Sequence, residues 1–129
     1  MIRPLAILCL LPAAVWAEGA DTAPDYYIDG LFSVSTAEQL ANFCPSIAFD
    51  LDRANATATD ILGRLSEDGV TGDAILELTG VEEGVAALQA AFVDRYGLDG
   101  AGQDVVCSAA RAEIAAQSLI GGILVEVAE

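Results

Sequence analysis

Apolar residues recur every three or four positions through much of the chain, and they alternate with polar residues over no long stretch. Between Ile47 and Leu65 the apolar positions form one stripe, with acids and Arg53 at the other positions. A similar stripe runs from Val81 to Tyr96. Such spacing is typical of amphipathic helices. The pattern therefore predicts an all-α fold, a small bundle of four to five helices.

Capping and breaking residues set the expected helix boundaries. Ser35-Thr-Ala-Glu38 and Thr79-Gly-Val-Glu82 have the form of capping boxes, in which a hydroxyl and a carboxylate each accept a hydrogen bond from a free backbone N–H. Pro45 suits the first position of a helix, and Gly97 suits a helix end. The expected helices cover about 35–43, 45–67, 73–78, 80–96 and 103–127.

The last predicted helix carries two adjoining stripes. One includes Val105, Leu119 and Ile123, and the other consists mostly of small residues. Two such faces predict the central helix of the bundle. Within it, Ser118 and the pair Gly121-Gly122 are expected to let another helix approach closely.

The first 17 residues have the features of a secretory signal peptide. Arg3 precedes an apolar run over 5–15, and Val15-Trp16-Ala17 matches a cleavage site. The run is shorter than the roughly 20 residues that span a bilayer, and the bulky Leu8 before Cys9 disfavours a lipid anchor. We predict a signal peptide over 1–17, a flexible acidic leader over 18–27 and a helical domain over 28–129, periplasmic or secreted, with no stable membrane anchor.

The charge balance excludes several functions. The 129 residues include 20 Asp and Glu, five Arg, no Lys and no His, for a formal net charge of −15, which becomes −16 once the signal peptide is removed. Such a surface repels nucleic acid. Without His or Lys, the chain has no Ser-His or Cys-His pair and no Schiff-base lysine. We therefore expect a protein that is not an enzyme, needs no cofactor and binds no nucleic acid.

Two cysteines remain after the predicted cleavage, Cys44 and Cys107. Because exported compartments are oxidising, we expect a disulfide between them. The chain-entropy model gives a loop of this length a stabilisation of about 4 kcal/mol. A redox-active thiol is disfavoured, since the chain has no Cys-x-x-Cys spacing and no Lys or His to lower a thiol pKa.

The acids are the other candidates for chemistry. Asp50-Leu-Asp52 resembles the start of a calcium loop, but Ala54, Asn55 and Ile61 stand where a ligand, a glycine and the closing glutamate are needed. The acids over 67–73 and 99–104 are interpreted as solvated turns and helix caps rather than as cation sites. We predict no metal site.

Three residues near the end of the chain are candidate contacts to a ligand or partner: Arg111, Glu113 and Ser118. The alternative for each arginine is an ion pair with one of the many carboxylates, which we favour. The glycosylation sequon at Asn55-Ala-Thr57 is discounted because it falls inside a predicted helix.

Several of these residues stand in an order that resembles a known family. The elements are Asp29-Gly-Leu31, Cys44, Cys107-x-x-x-Arg111-x-Glu113-Ile and Ser118-x-Ile-Gly121. Over about 28–125 the chain is similar to a family of small secreted bacterial domains of unknown function. The resemblance implies a helical, disulfide-bridged exported domain and supplies no activity. The chain departs from the family at Ala110, where relatives have glycine, and in its acidity.

Three hypotheses for function follow. The first is a non-enzymatic protein-binding or structural module whose partner is a protein with basic residues or a second copy of the chain. The second is a periplasmic acid-stress or chaperone-like protein, because protonation of many carboxylates would remove the charge and expose apolar stripes. The third is a carboxylate-based cation-binding or enzymatic site.

Overall fold

The computed structural model describes residues 21–128. The signal peptide predicted over 1–17 lies outside the described residues. Five helices and one two-stranded antiparallel sheet form the described chain, so the predicted small helical bundle is confirmed and the sheet is an addition to it. The elements are α1 (Asp25–Phe43), β1 (Ile47–Phe49), α2 (Leu51–Glu67), α3 (Asp73–Leu76), α4 (Val81–Tyr96), α5 (Gln103–Ala116), a 3-10 turn (Gly121–Ile123) and β2 (Leu124–Glu126).

Helix α1 begins ten residues before the predicted capping box. Pro24 precedes its first turn with extended backbone angles, and the fixed φ of proline suits that place. Ser35 lies in the middle of α1, where its hydroxyl donates to the carbonyl oxygen of Phe32 at 3.1 Å. The prediction of a cap at Ser35 is wrong because a serine hydroxyl inside a helix can bond to the preceding turn instead.

Part of the expected leader is also held in place. The Thr79 N–H donates to the carbonyl of Asp21, and the Ala23 N–H donates to the carbonyl of Thr79, both at 2.9 Å. The Thr79 hydroxyl bonds to Asp21 as well, so the second predicted capping box does not form, and α4 follows Gly80 with its left-handed backbone. Residues 25–27 belong to α1. The flexible leader predicted over 18–27 is therefore wrong for 21–27.

The two strands interrupt helices that the sequence pattern made continuous. In β1, Ile47 pairs with Glu126 and Phe49 with Leu124 of β2. Helix α2 starts after the strand, where Asp50 accepts a hydrogen bond from the Arg53 N–H. The predictions of one helix from Pro45 to 67 and of another over 103–127 are thus wrong in part.

Helix α5 ends eleven residues before the predicted boundary. Gln117 adopts a left-handed backbone with φ of 52°, which stops the helix. Gly121 then lies so close to the backbone of Glu113 and Ile114 that any Cβ would collide with it. This contact folds the chain back toward β1, where β2 forms.

The core is small and rich in alanine. Phe32 of α1 packs edge-on to Phe92 of α4, with ring centroids 6.0 Å apart, and Phe92 packs in turn on Tyr96. The fully buried positions between elements are mostly small or aliphatic. The core cluster comprises Phe32, Ala37, Leu40, Cys44, Ile47, Ala54, Phe92, Cys107, Ala110, Ile120, Ile123 and Leu124.

The predicted disulfide is confirmed. Cys44, just after α1, is bonded to Cys107 in α5, with Cα atoms 5.4 Å apart and a sequence separation of 63. The bond joins the end of α1 to α5, and these two helices have more buried residues than any other helix. Within residues 21–128, no helix is both long and apolar enough to cross a membrane.

Candidate functional site

An apolar depression lies between α1, α4 and the start of α5, and we call it the α1–α4–α5 groove. Its volume is about 370 Å³. Phe32 and Phe92 form its floor, since both are buried. Phe43 at the end of α1 is 49% exposed and Val93 of α4 is 38% exposed. The lining residues are Phe32, Thr36, Gln39, Leu40, Phe43, Gln89, Phe92, Val93, Leu98 and Val106.

The polar groups of the groove are neutral. Thr36, Gln39 and Gln89 contribute a hydroxyl and two amides, which donate and accept hydrogen bonds. None of the lining residues is charged. A mostly apolar surface with a few polar groups of both kinds is typical of sites that bind an apolar molecule or segment in a fixed orientation.

The disulfide fixes one end of this groove. Cys44 follows Phe43 in the chain, and Cys107 follows Val106, so the two bonded residues each adjoin a lining residue. Gln103 of α5 adds a second tie, because its side-chain amide donates to the carbonyl of Phe43 at 3.0 Å. The distance between α1 and α5 at this end is therefore set by a covalent bond and a hydrogen bond.

Two acidic residues are next to lining residues in the sequence. Asp94 follows Val93 in the chain and Asp99 follows Leu98, so acids adjoin two lining residues. All four arginines of the described chain lie within 4 Å of a carboxylate, as predicted: Arg53 with Asp50, Arg64 with Asp60, Arg95 with Glu113 and Arg111 with Glu126. The remaining acids leave the field of the described chain negative.

A second site surrounds Glu113, which is 3% exposed. Its Oε2 accepts one hydrogen bond from Arg95 at 2.9 Å and one from the Tyr96 hydroxyl at 2.7 Å. Burial and the hydrogen bond to Glu113 raise the pKa of Tyr96 above its ordinary value, so its phenol remains a donor at neutral pH. Arg95 also stacks over the Tyr96 ring, 4.7 Å from its centroid.

This cluster borders a narrow cleft of about 160 Å³, which we call the Glu113 cleft. Phe32 and Phe92 line both this cleft and the larger groove. The lining residues of the cleft are Phe32, Leu88, Ala91, Phe92, Arg95 and Glu113.

One comparison with known proteins gives a match. The model of a family described as Family of unknown function (DUF5333) matches residues 22–125. The chain belongs to this family. The match runs from the residues before α1 into β2, and its range includes every lining residue of both sites described above. No curated protein and no solved structure matches the chain significantly.

The three candidate contact residues of this DUF5333 chain lie in three different places. Arg111 lies beside the sheet, with its guanidinium 3.5 Å from Glu126 and 3.1 Å from the Ser46 hydroxyl. Ser118 lies in the turn after α5, where its hydroxyl accepts from the Gly121 N–H at 3.0 Å. Glu113 lines the Glu113 cleft. None of the three lines the α1–α4–α5 groove, and their role as ligand or partner contacts stays a prediction.

Sequence reasoning missed most residues of the groove. The stripe on α4 included Phe92, but Gln39, Phe43 and Gln89 carry no distinctive pattern. Arg95 and Tyr96 are adjacent in sequence, and nothing in the pattern connects them with Glu113. The acids of the described residues form no cluster of three or more metal-ligating side chains.

Proposed function

We propose that this DUF5333 protein is an exported, non-enzymatic binding module. Its α1–α4–α5 groove binds an apolar segment of a partner protein that carries basic residues on either side. The observation that supports this proposal is the groove itself, in which uncharged, mostly apolar lining lies within a strongly acidic chain.

The lining residues of the groove indicate that the bound segment should be apolar. Phe43 and Val93 are exposed on the two sides of the groove, above the buried rings of Phe32 and Phe92. Covering them would remove apolar surface from water, which favours association. The amides of Gln39 and Gln89 would hold the backbone of the bound segment, because each amide both donates and accepts.

The negative charge of the chain indicates which residues should flank the bound segment. Asp94 and Asp99 follow the lining residues Val93 and Leu98 in sequence, and no described arginine lacks a carboxylate partner. A segment flanked by Lys or Arg would be attracted, and one flanked by acids would be repelled. The disulfide supports an exported location, since such bonds persist in oxidising compartments.

The test uses two synthetic peptides with the same central Leu and Phe residues, one flanked by lysines and one by glutamates. We expect the lysine peptide to bind in fluorescence anisotropy, with an affinity that falls as NaCl rises, because salt screens the charges. We expect no binding of the glutamate peptide. Equal binding of both peptides, or of neither, contradicts the proposal.

A matched pair of variants locates the binding. Val93→Gln changes a lining residue that is 38% exposed, and Val105→Gln changes a residue of α5 that is 42% exposed and lines no part of the groove. We expect Val93→Gln to weaken lysine-peptide binding about fivefold or more, since partial loss of a buried valine contact removes about 1 kcal/mol. We expect Val105→Gln to leave lysine-peptide binding unchanged. If sedimentation analysis showed a dimer and its interface covered the groove, the groove would instead bind a second copy of the chain.

A further inference from the structure

We infer that the Glu113 cleft is a second binding site, specific for a small neutral molecule with a hydroxyl group on an apolar body the size of a benzene ring. The site differs from the groove of the proposed function in its polar end, because Arg95 and Glu113 line only the cleft, whereas Phe32 and Phe92 line both. Three observations carry the inference: the state of the Glu113 oxygens, the charge of the cluster and the dimensions of the cleft.

The first observation concerns the two oxygens of Glu113. Both hydrogen bonds to its carboxylate end on Oε2. In the described residues, no fully buried side-chain nitrogen or oxygen lacks a hydrogen-bond partner. Oε1 accepts no hydrogen bond from a described group, and Glu113 lines the cleft. A carboxylate oxygen in this position requires a donor.

The second observation is that the charge of Glu113 is already balanced. Arg95 lies 2.9 Å from Oε2, and Tyr96 donates a neutral hydrogen bond to the same oxygen. A cationic ligand at Oε1 would lie close to the Arg95 guanidinium and be repelled by it, and an anionic ligand would be repelled by the carboxylate. A neutral O–H group can donate a hydrogen bond to Oε1 without either repulsion.

The third observation is the shape and chemistry of the walls. The cleft volume is about 160 Å³, and an apolar cavity of about 150 Å³ in another protein binds benzene. Phe32 and Phe92 offer ring faces or edges, and Leu88 and Ala91 offer aliphatic surface. The cleft therefore accepts one aromatic ring, with its hydroxyl directed to the Glu113 end.

The test compares benzyl alcohol with its isomer anisole. The two molecules have the same atoms, but only benzyl alcohol donates a hydrogen bond. We expect titrations followed by two-dimensional amide NMR to show saturable shifts around Ala91 and Glu113, with benzyl alcohol bound at least tenfold more tightly than anisole. A hydrogen bond to a charged group is worth about 1.5 kcal/mol or more, which corresponds to that ratio. Benzoate and benzylamine should bind more weakly than benzyl alcohol.

Two neighbouring alanines provide matched variants. Ala91→Leu would fill the cleft, and Ala90→Leu places the same side chain on α4 outside it; both positions are exposed, so both variants should fold. We expect Ala91→Leu to abolish benzyl alcohol binding, while Ala90→Leu and the groove variant Val93→Gln retain it. Equal binding of anisole, tighter binding of benzylamine, or binding that survives Ala91→Leu overturns the inference. None of these results bears on the lysine-peptide test, so the two proposals fail separately.

Discussion

At the scale of single residues, the glycines and small residues decide how closely the chain segments approach. Gly121 is the clearest case, because a Cβ there would overlap the carbonyl of Glu113, a backbone group that cannot move aside. Gly30 and Gly84 also lie against neighbouring helices, but there the facing atoms belong to the flexible side chains of Ile61 and Ile28. Replacement of glycine by alanine should therefore destabilise the protein by different amounts at these positions.

We predict that Gly121→Ala destabilises the protein by about 2 kcal/mol or more, since overpacking against rigid backbone typically costs 1–3 kcal/mol. Gly122→Ala is the matched control, because nothing lies within 4 Å of the Cβ that it would add. Urea denaturation followed by circular dichroism gives both free energies of unfolding. Equal stabilities of the two variants would show that the turn after α5 does not depend on this contact.

At the scale of elements, the disulfide and the two strands hold the ends of the helices together. The disulfide joins the end of α1 to α5, beside the groove residues Phe43 and Val106. The short sheet joins the chain after α1 to the chain after α5, through pairs such as Ala48 with Val125. Both ties act on the same pair of helices, so the groove depends on them for its width.

We predict that replacing both cysteines, Cys44→Ala with Cys107→Ala, lowers the free energy of unfolding by about 4 kcal/mol at most, the value that chain entropy gives for a loop of this length. The same variant should bind the lysine peptide more weakly, because the end of the groove beside Phe43 is no longer fixed. Urea denaturation and anisotropy measure the two effects. As a control, dithiothreitol should destabilise the parent protein and leave the double variant unchanged. A loss of unfolding free energy below about 1 kcal/mol in the double variant would contradict the expectation.

At the scale of the whole molecule, the net charge of −15 opposes compaction. Repulsion among like charges destabilises a folded state, and salt screens it. The four ion pairs act in the opposite sense, but in three of them neither partner is buried, and such pairs contribute little. The repulsion should therefore dominate the response to salt.

We predict that the melting temperature rises when NaCl is raised from about 10 mM to about 0.5 M, a range over which the screening length falls from about 30 Å to a few ångströms. Thermal unfolding monitored by circular dichroism measures this change. Sucrose at matched osmolality serves as an uncharged control, so that a response specific to salt can be separated from solute exclusion. A melting temperature that falls with NaCl would mean that the ion pairs outweigh the repulsion.

The sequence alone determined the features that depend on local pattern or on composition. Helical spacing predicted the helical class, Gly97 marked the end of α4, and two remaining cysteines predicted the disulfide. The excess of acids likewise predicted that each described arginine pairs with a carboxylate. Each of these conclusions follows from neighbours in the chain or from a count of residue types.

Tertiary structure decided which local signals are used. Ser35 and Thr79 have the pattern of caps, yet their hydroxyls bond elsewhere because α1 extends back to Asp25 and Asp21 pairs with Thr79. Residues 47–49 and 124–126 fit a helical stripe, but each becomes a strand because the other is beside it. The groove and the Glu113 cleft join residues from α1, α4 and α5. Such sites depend on packing between segments distant in sequence, which no periodicity along one segment contains.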